Sequence, residues 1–330
     1  MKKRSFKPSI LVVEDEIKLS QHMVKVLTKM NYLPITAAHG LEALAVVAQA
    51  PPDLILCDFL MPKMDGMALV KRLKKDPKTR LIPIIMLTAF GNLQTKIKAL
   101  QAGADDLLTK PVEPLELKAR VKNLIQLKSY IDELEHTETV LFALAEVVEA
   151  REPFTSHHCR RLSIYSAMLG ELMGLDPLEV KSLRQGGILH DIGKIAIPDR
   201  ILLKNGPLSD DEWSVMRDHP STGERLLRSM KSLNPVLPII RHHHERWDGK
   251  GYPDKLKGEA IPLAARILQV VDAYDALRSR RPYKPAFSKE QTTAILKEEA
   301  ENGKWDPRVA EAFLEMLAGP IPFEETYLTT

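Results

Sequence analysis

Residues 186–195 read GGILHDIGKI, and the adjacent pair His190-Asp191 decides how the second half of the chain is read. An imidazole and a carboxylate side by side suit a metal centre, and Lys194 lies one helical turn on, beside His190. Further donors flank the pair: His158 upstream, then His219, the run His242-His243-His244, and Asp272. Seven of the ten histidines fall between residues 157 and 244, far denser than chance placement would give. Neutral imidazoles with carboxylates are borderline-hard ligands, the set that takes iron, manganese, nickel or zinc. A carboxylate can bridge two such ions, and two ions about 3.5–4 Å apart are a recurrent device for phosphoester hydrolysis. A lone His-Asp pair on a helix would read as a hydrogen-bonded core pair, but the other donors argue against that here.

The bulk properties bound the rest. A chain of 330 residues is comfortable for two domains, each able to bury its own core. With 44% hydrophobic and 28% charged residues it is ordinary for a soluble protein, and a net charge of +3 does not argue for a nucleic-acid or membrane surface. The two cysteines are Cys57, in a strand-like apolar run, and Cys159, directly after a candidate ligand. Neither suggests a disulfide framework, which fits a reducing cytoplasm. The opening MKKRSFKPSILVVEDE is basic, but its apolar run, Ile10 to Val13, is too short for a signal peptide. No stretch of 18 apolar residues occurs, so the expectation is a cytoplasmic chain without membrane insertion.

Residues 7–125 alternate strand-like and helix-like segments. Ile10–Val13, Pro34–Thr36, Leu54–Cys57, Ile84–Leu87 and Asp106–Thr109 read as five short strands, with helical patterns such as Leu41–Ala50 and Met67–Lys75 between them. This predicts an α/β doubly wound parallel sheet whose chemistry gathers at the carboxyl ends of the strands. Those ends carry Glu14, Asp15, Asp58, Thr88 and Lys110. Glu14, Asp15 and Asp58 would hold Mg²⁺ with waters completing its octahedron. Asp58 could then accept a phosphoryl group, with Lys110 offsetting charge and the Thr88 hydroxyl donating to phosphate oxygens.

This constellation, with Asp58 followed by FLMPKMDG, Leu87-Thr88-Ala89 and Lys110-Pro111, resembles the flavodoxin-like receiver domain of two-component response regulators. The resemblance implies phosphotransfer from a sensor histidine kinase onto Asp58. Glu14 in the acid pair is a common variant. Leu107 stands where many receivers carry an aromatic that turns inward on phosphorylation, which bears on that coupling and not on phosphorylation itself.

From Leu124 to Val148 no proline or glycine interrupts a helical pattern, and Leu124, Leu127, Ile131, Leu134, Leu141, Ala145 and Val148 fall on a 3–4 spacing. Residues 126–140 are therefore read as a helical linker. Its first half, to about Leu134, is expected to pair in a homodimer, and the rest to pack on the output domain.

Residues 141–326 resemble an HD-GYP phosphodiesterase, an all-α branch of the HD metal-dependent phosphohydrolases. The match runs through Phe154-Thr155 to His158, HDIGK at 190–194, His219-Pro220 with Gly223, HHERWDGKGYP at 243–253, Asp272-Ala-Tyr-Asp-Ala-Leu, Arg281-Pro282-Tyr283 and WDPRVAEAF at 305–313. The resemblance implies a ligand set of His158, His190, Asp191, His219, His243, His244 and Asp272 for two divalent transition metals, iron or manganese first, nickel or zinc otherwise. Asp191 would bridge them, and His157 and His242 would be bystanders. Seven N/O donors exceed what one four-coordinate ion needs, and a water bridging two cations becomes a hydroxide nucleophile. Lys194 would offset charge on a phosphate or leaving oxygen. Phe154 stands where some relatives carry a Glu that binds a third metal, which argues for two. Relatives usually carry serine where Cys159 stands, so a packed side chain is expected there.

For substrate binding, Arg281 matches phosphate geometry, Tyr252 could hydrogen-bond phosphate in the GYP loop, and Trp247 could stack on a base or anchor its loop. The family implies hydrolysis of cyclic di-GMP to pGpG, with GMP as a further product. Two other readings remain: a phosphorylation-gated interaction module, for example with GGDEF-domain cyclases, and a phosphohydrolase of another nucleotide. No DNA-binding motif is present to support a transcription factor.

Overall fold

The structure, a computed structural model, describes residues 7–89, 93–152, 157–279, 286–320 and 322. The chain divides into two compact units at Thr137 and Glu138.

In the first unit, β1 (Ser9–Val13), β2 (Leu33–Ala37), β3 (Leu54–Asp58), β4 (Ile84–Thr88) and β5 (Asp106–Thr109) alternate with α1 (Ile17–Lys29), α2 (Gly40–Gln49), α3 (Gly66–Lys75), α4 (Leu93–Gln101) and the start of α5 (Pro114–Glu149). The sheet is parallel throughout, in the order β2-β1-β3-β4-β5. β1, β3 and β4 read as unbroken apolar runs because helices cover both faces. The two-residue alternation of strand side chains then divides them. Leu11, Val13, Ile55, Cys57, Ile84 and Met86 face α2, α3 and α4 through Ala43, Leu69 and Ala99. Ile10, Val12, Leu54, Leu56, Ile85 and Leu87 face α1 and α5 through Met23, Leu27, Leu117 and Val121. Strand order reverses between β1 and β3, so the crevice at their carboxyl ends is where a ligand is expected.

The second unit is helical: α6 (His158–Leu172), α7 (Pro177–Leu189), α8 (Asp199–Leu202), α9 (Asp210–Met216), α10 (His219–Leu227), α11 (Leu237–His242), α12 (Leu263–Arg278), α13 (Lys289–Glu301) and α14 (Pro307–Ala318). α7 starts at an Asp176–Glu179 capping box with Pro177 in its first turn, a strong start signal. α12 runs through the centre, burying Ile267, Leu268, Val270, Val271 and Tyr274 against Leu162 and Tyr165 of α6 and Val309 and Phe313 of α14. A second cluster packs Leu141, Ala145 and Val148 of α5 on Leu189, Ile192, Val236 and Ile240. Earlier in α5, Leu127 and Leu134 are more than half exposed. No described helix is long and apolar enough to cross a membrane.

A single-turn 3-10 helix, residues 192–196, follows α7 and lies against the start of α10. The approach requires glycine at 193, where a Cβ would stand 1.9 Å from the carbonyl oxygen of His219 and 2.6 Å from the amide nitrogen of Gly223. Gly193→Ala must therefore displace either the turn or α10. The expected loss is about 2 kcal/mol or more of unfolding free energy, read by denaturant titration. A variant as stable as the parent would contradict this packing.

Candidate metal centre and receiver site

Five helices deliver the seven candidate ligands of the second unit. His158 opens α6, His190 closes α7 with Asp191 next, His219 opens α10, His243 and His244 follow α11, and Asp272 sits within α12. Their donor atoms fall into two groups, Asp191, His219, His243 and His244 in one and His158, His190 and Asp272 in the other. Asp191 touches both: its Oδ2 is 3.2 Å from His190 Nε2, and its Oδ1 is 3.1 Å from His219 Nε2 and 3.8 Å from His243 Nε2. His158 Nε2 lies 3.6 Å from Asp272 Oδ1. His157 and His242 belong to neither group.

The imidazoles are oriented from behind. Nδ1 of His190, His219 and His243 donates to the carbonyls of Gly187 (3.1 Å), Met216 (2.8 Å) and Ile240 (2.7 Å), which leaves Nε2 facing the site. His158 Nδ1 is held instead by Asp275 Oδ2 at 2.7 Å, and Arg161 fixes Asp275 in turn through contacts of 2.6 and 2.9 Å. Burial lowers the His158 pKa, but the hydrogen bond and charge of Asp275 outweigh it and raise the value to about 9. Burial, helped by the nearby His190 and His219 imidazoles, pushes His243 down to about 4 against the opposing pull of Asp191, and burial with the two nearby imidazoles His243 and His219 holds His244 well below 6.5. Burial disfavours the charge on Asp191, yet His190 and Lys194 overcome it and keep the carboxyl well below 3.8.

These residues fit divalent cations. His190 Nε2 and Asp191 Oδ1 are buried without an aligned hydrogen-bond partner, which is costly unless something else satisfies them. The donors are nitrogen and carboxylate oxygen, as Fe, Mn, Ni and Zn accept.

Lys194 Nζ bridges Asp191 Oδ2 (2.9 Å) and Glu152 Oε1 (2.7 Å). Burial opposes its charge, but the two carboxylates raise its pKa, so it stays cationic at neutral pH. Arg151, beside Glu152, donates to the carbonyls of Lys194 (3.0 Å) and Ile197 (2.9 Å) and pairs with Asp199, clamping the 3-10 turn. A cavity of about 510 Å³ opens over the centre, walled by His158, Asp191, Lys194, His219, His244 and Asp272 together with Trp213 and Tyr252.

The Tyr252 ring lies 4.8 Å from that of His244, at the cavity wall. Its loop folds tightly: a Cβ on Gly251 would stand 2.4 Å from the Glu245 backbone, and the buried Glu245 carboxylate accepts from the amides of Asp254 (2.7 Å) and Leu256 (3.0 Å). Trp247 is not part of the cavity wall. Its amide donates to Lys304 O, its carbonyl accepts from Gly258 N, and the Arg266 guanidinium sits 5.5 Å from its ring, so it anchors the loop. Arg281 and Phe154 lie outside the described residues.

The receiver crevice is assembled as well. Oxygens of Glu14, Asp15 and Asp58 converge within 4.8 Å, a fit for Mg²⁺, and Lys110 Nζ reaches Glu14 Oε2 at 2.8 Å and Asp58 Oδ1 at 3.0 Å. Burial raises the Glu14 pKa against the pull of Lys110. Thr88 is fully buried at the end of β4, and Leu107 is partly buried against the α2–α4 side of the sheet.

Sequence reading missed Asp275, Arg161, Glu152, Arg151 and Trp213. Only Asp275 carried a signal, three residues after Asp272 on one helix face. Asp275→Asn removes the charge that balances the buried Arg161 and is expected to cost about 3–5 kcal/mol. His158 and Arg161 hold the Asp275 pKa below 3.8 against burial, so its contribution is present above that pH and fades as pH falls. As pH falls from about 4 toward 2 the parent should therefore lose more stability in denaturant titrations than Asp275→Asn does. Parallel curves would contradict the assignment.

Residues 143–309 match the HD domain family, and residues 10–122 match the response regulator receiver domain family. Among similar curated proteins, the cyclic di-GMP phosphodiesterase response regulator RpfG of Xanthomonas campestris is 41% identical over 83% of this chain and 78% of its own length. A cyclic di-GMP phosphodiesterase of Thermotoga maritima is 35% identical over 93% of this chain and 90% of its own. The 3'3'-cGAMP-specific phosphodiesterase 2 of Vibrio cholerae is 35% identical over 68% of this chain and 46% of its own. With the receiver sheet and the His-Asp helices both in place, the chain belongs to the response regulators that join a receiver to an HD-GYP output domain.

Proposed function

We propose that the chain is a metal-dependent phosphodiesterase that opens cyclic di-GMP to pGpG under control of its receiver. The observation that carries this reading is the division of seven inward-facing donors into two groups joined at Asp191. His158, His190 and Asp272 would hold one divalent cation, and His219, His243 and His244 the other, with Asp191 between them. Iron or manganese best suits the mixed N/O set. Two such cations, when bound, would supply water activation and Lewis-acid stabilisation of phosphoryl charge.

The protein's own groups do the rest. Lys194 stays charged beside Asp191 and neutralises negative charge that builds on the phosphoryl or leaving oxygen. Glu152 and Arg151 hold Lys194 and its turn in place. The carbonyls behind His190, His219 and His243 hold the tautomer that frees Nε2. Tyr252 offers its hydroxyl and ring edge to the substrate at the cavity wall.

In the first unit, Asp58 would accept a phosphoryl group from a sensor histidine kinase, with Mg²⁺ at Glu14, Asp15 and Asp58 and with Lys110 offsetting charge. Homodimer pairing along Leu127 and Leu134 of α5 is supported by their exposure. The likeness to a 3'3'-cGAMP-specific enzyme favours one second reading, a different cyclic dinucleotide as substrate.

Protein loaded anaerobically with iron or manganese should turn over cyclic di-GMP with about two metals per chain. Asp191→Ala should abolish turnover and lower metal content. Lys194→Ala should keep its metal while kcat drops by about 10²-fold or more. A fully metal-loaded protein without turnover, with and without a phosphoryl mimic at Asp58, would sink the enzymatic reading. Full activity in Asp191→Ala would overturn the metal assignment.

A further inference from the structure

Trp213, on α9, is 42% exposed although it borders the cavity, an unusual state for the largest apolar side chain. Arg217, four residues on, brings its guanidinium to 5.5 Å from the Trp213 ring and 5.9 Å from the Tyr252 ring. Arg217 is exposed, and among the described residues it makes no ion pair with a carboxylate. The helix beneath is well anchored: Ser209 and Glu212 form a capping box at its start, and Lys204 pairs with Glu212 at 2.5 Å. A guanidinium close to two aromatic rings that themselves wall the cavity is a ready surface for a planar, polar ring.

We infer that Trp213 and Arg217 form the base-binding subsite of the cavity and select guanine. The inference rests on the phosphodiesterase reading for what enters the cavity, and deepens it by naming what recognises the base. The substrate phosphate has its own partners at Lys194 and the metal donors. The Tyr252 ring lies against His244 at 4.8 Å, tilted by 30°, and Trp213 walls the same cavity. Guanine presents two acceptors, O6 and N7, on the edge that a guanidinium can grip with two parallel hydrogen bonds. Adenine presents a donor at the position of O6 and meets Arg217 with one acceptor only. Stacking on Trp213 serves either purine, so affinity is assigned to Trp213 and discrimination to Arg217.

The test is calorimetric binding of GMP and AMP to the full-length, metal-loaded protein and to Arg217→Lys, Arg217→Ala, Trp213→Phe and Trp213→Ala. The parent should prefer GMP. Arg217→Lys keeps the charge but not the fork, so it and Arg217→Ala should lower the GMP-to-AMP preference by about tenfold or more. Trp213→Ala should weaken both nucleotides by about fivefold or more with the preference retained, and Trp213→Phe should restore most of that affinity. A preference unchanged in Arg217→Lys would mean a phosphate contact or an idle surface charge and would overturn the proposal, as would a parent with no preference. Cyclic di-GMP turnover on the same samples judges the enzymatic reading separately. An Arg217-dependent preference without turnover keeps the subsite and removes the reaction, whereas turnover without preference does the reverse.

Discussion

The Asp191 carboxylate is the anion around which the output unit is organised. It lies within 4 Å of three imidazoles and of the Lys194 ammonium, and each arrives on a different piece of backbone or a different turn. Removing a carboxylate from water is expensive, and the cost is offset only because these partners converge on it. That convergence sets geometric demands on everything nearby. α7 must end at His190, the following turn must tighten at once, and α10 must begin within contact of that turn. The missing side chain at Gly193 meets the last demand. Stability and chemistry therefore share the same atoms, and the two cannot be altered separately there.

What could be read from the sequence follows from how local each signal was. The five strands were legible because a parallel sheet covered on both faces needs short unbroken apolar runs, and Ile10–Val13 and Leu54–Cys57 have nothing else to be. The receiver acids were legible because each ends a strand. His190-Asp191 and His243-His244 stood out because these candidate ligands are neighbours in sequence. The supporting residues did not stand out. Arg161 and Asp275 meet only when α6 crosses α12, and Glu152 reaches Lys194 across 42 positions. Trp213 was hidden for a different reason: a tryptophan in an amphipathic segment is read as buried, and only the folded cavity wall reveals that it is not. Trp247 shows the converse, an aromatic beside the histidine run that the fold uses to anchor a loop.

The receiver half obeys a simpler rule. Lys110 is drawn between Glu14 and Asp58, so three acids that would otherwise repel one another are held within reach of a single cation. Burial raises the Glu14 pKa while Lys110 opposes it, a balance that a divalent ion would tip toward full ionisation. Leu107, partly buried on the α2–α4 side, offers a branched apolar surface where an aromatic lever would otherwise swing.

The buried Glu245 carboxylate has a consequence for how the cavity adapts to what it holds. Because both oxygens are spent on the amides of Asp254 and Leu256, those two protons should exchange with solvent as slowly as protons inside a helix, although they belong to a loop. The wall that presents Tyr252 then behaves as core rather than as periphery.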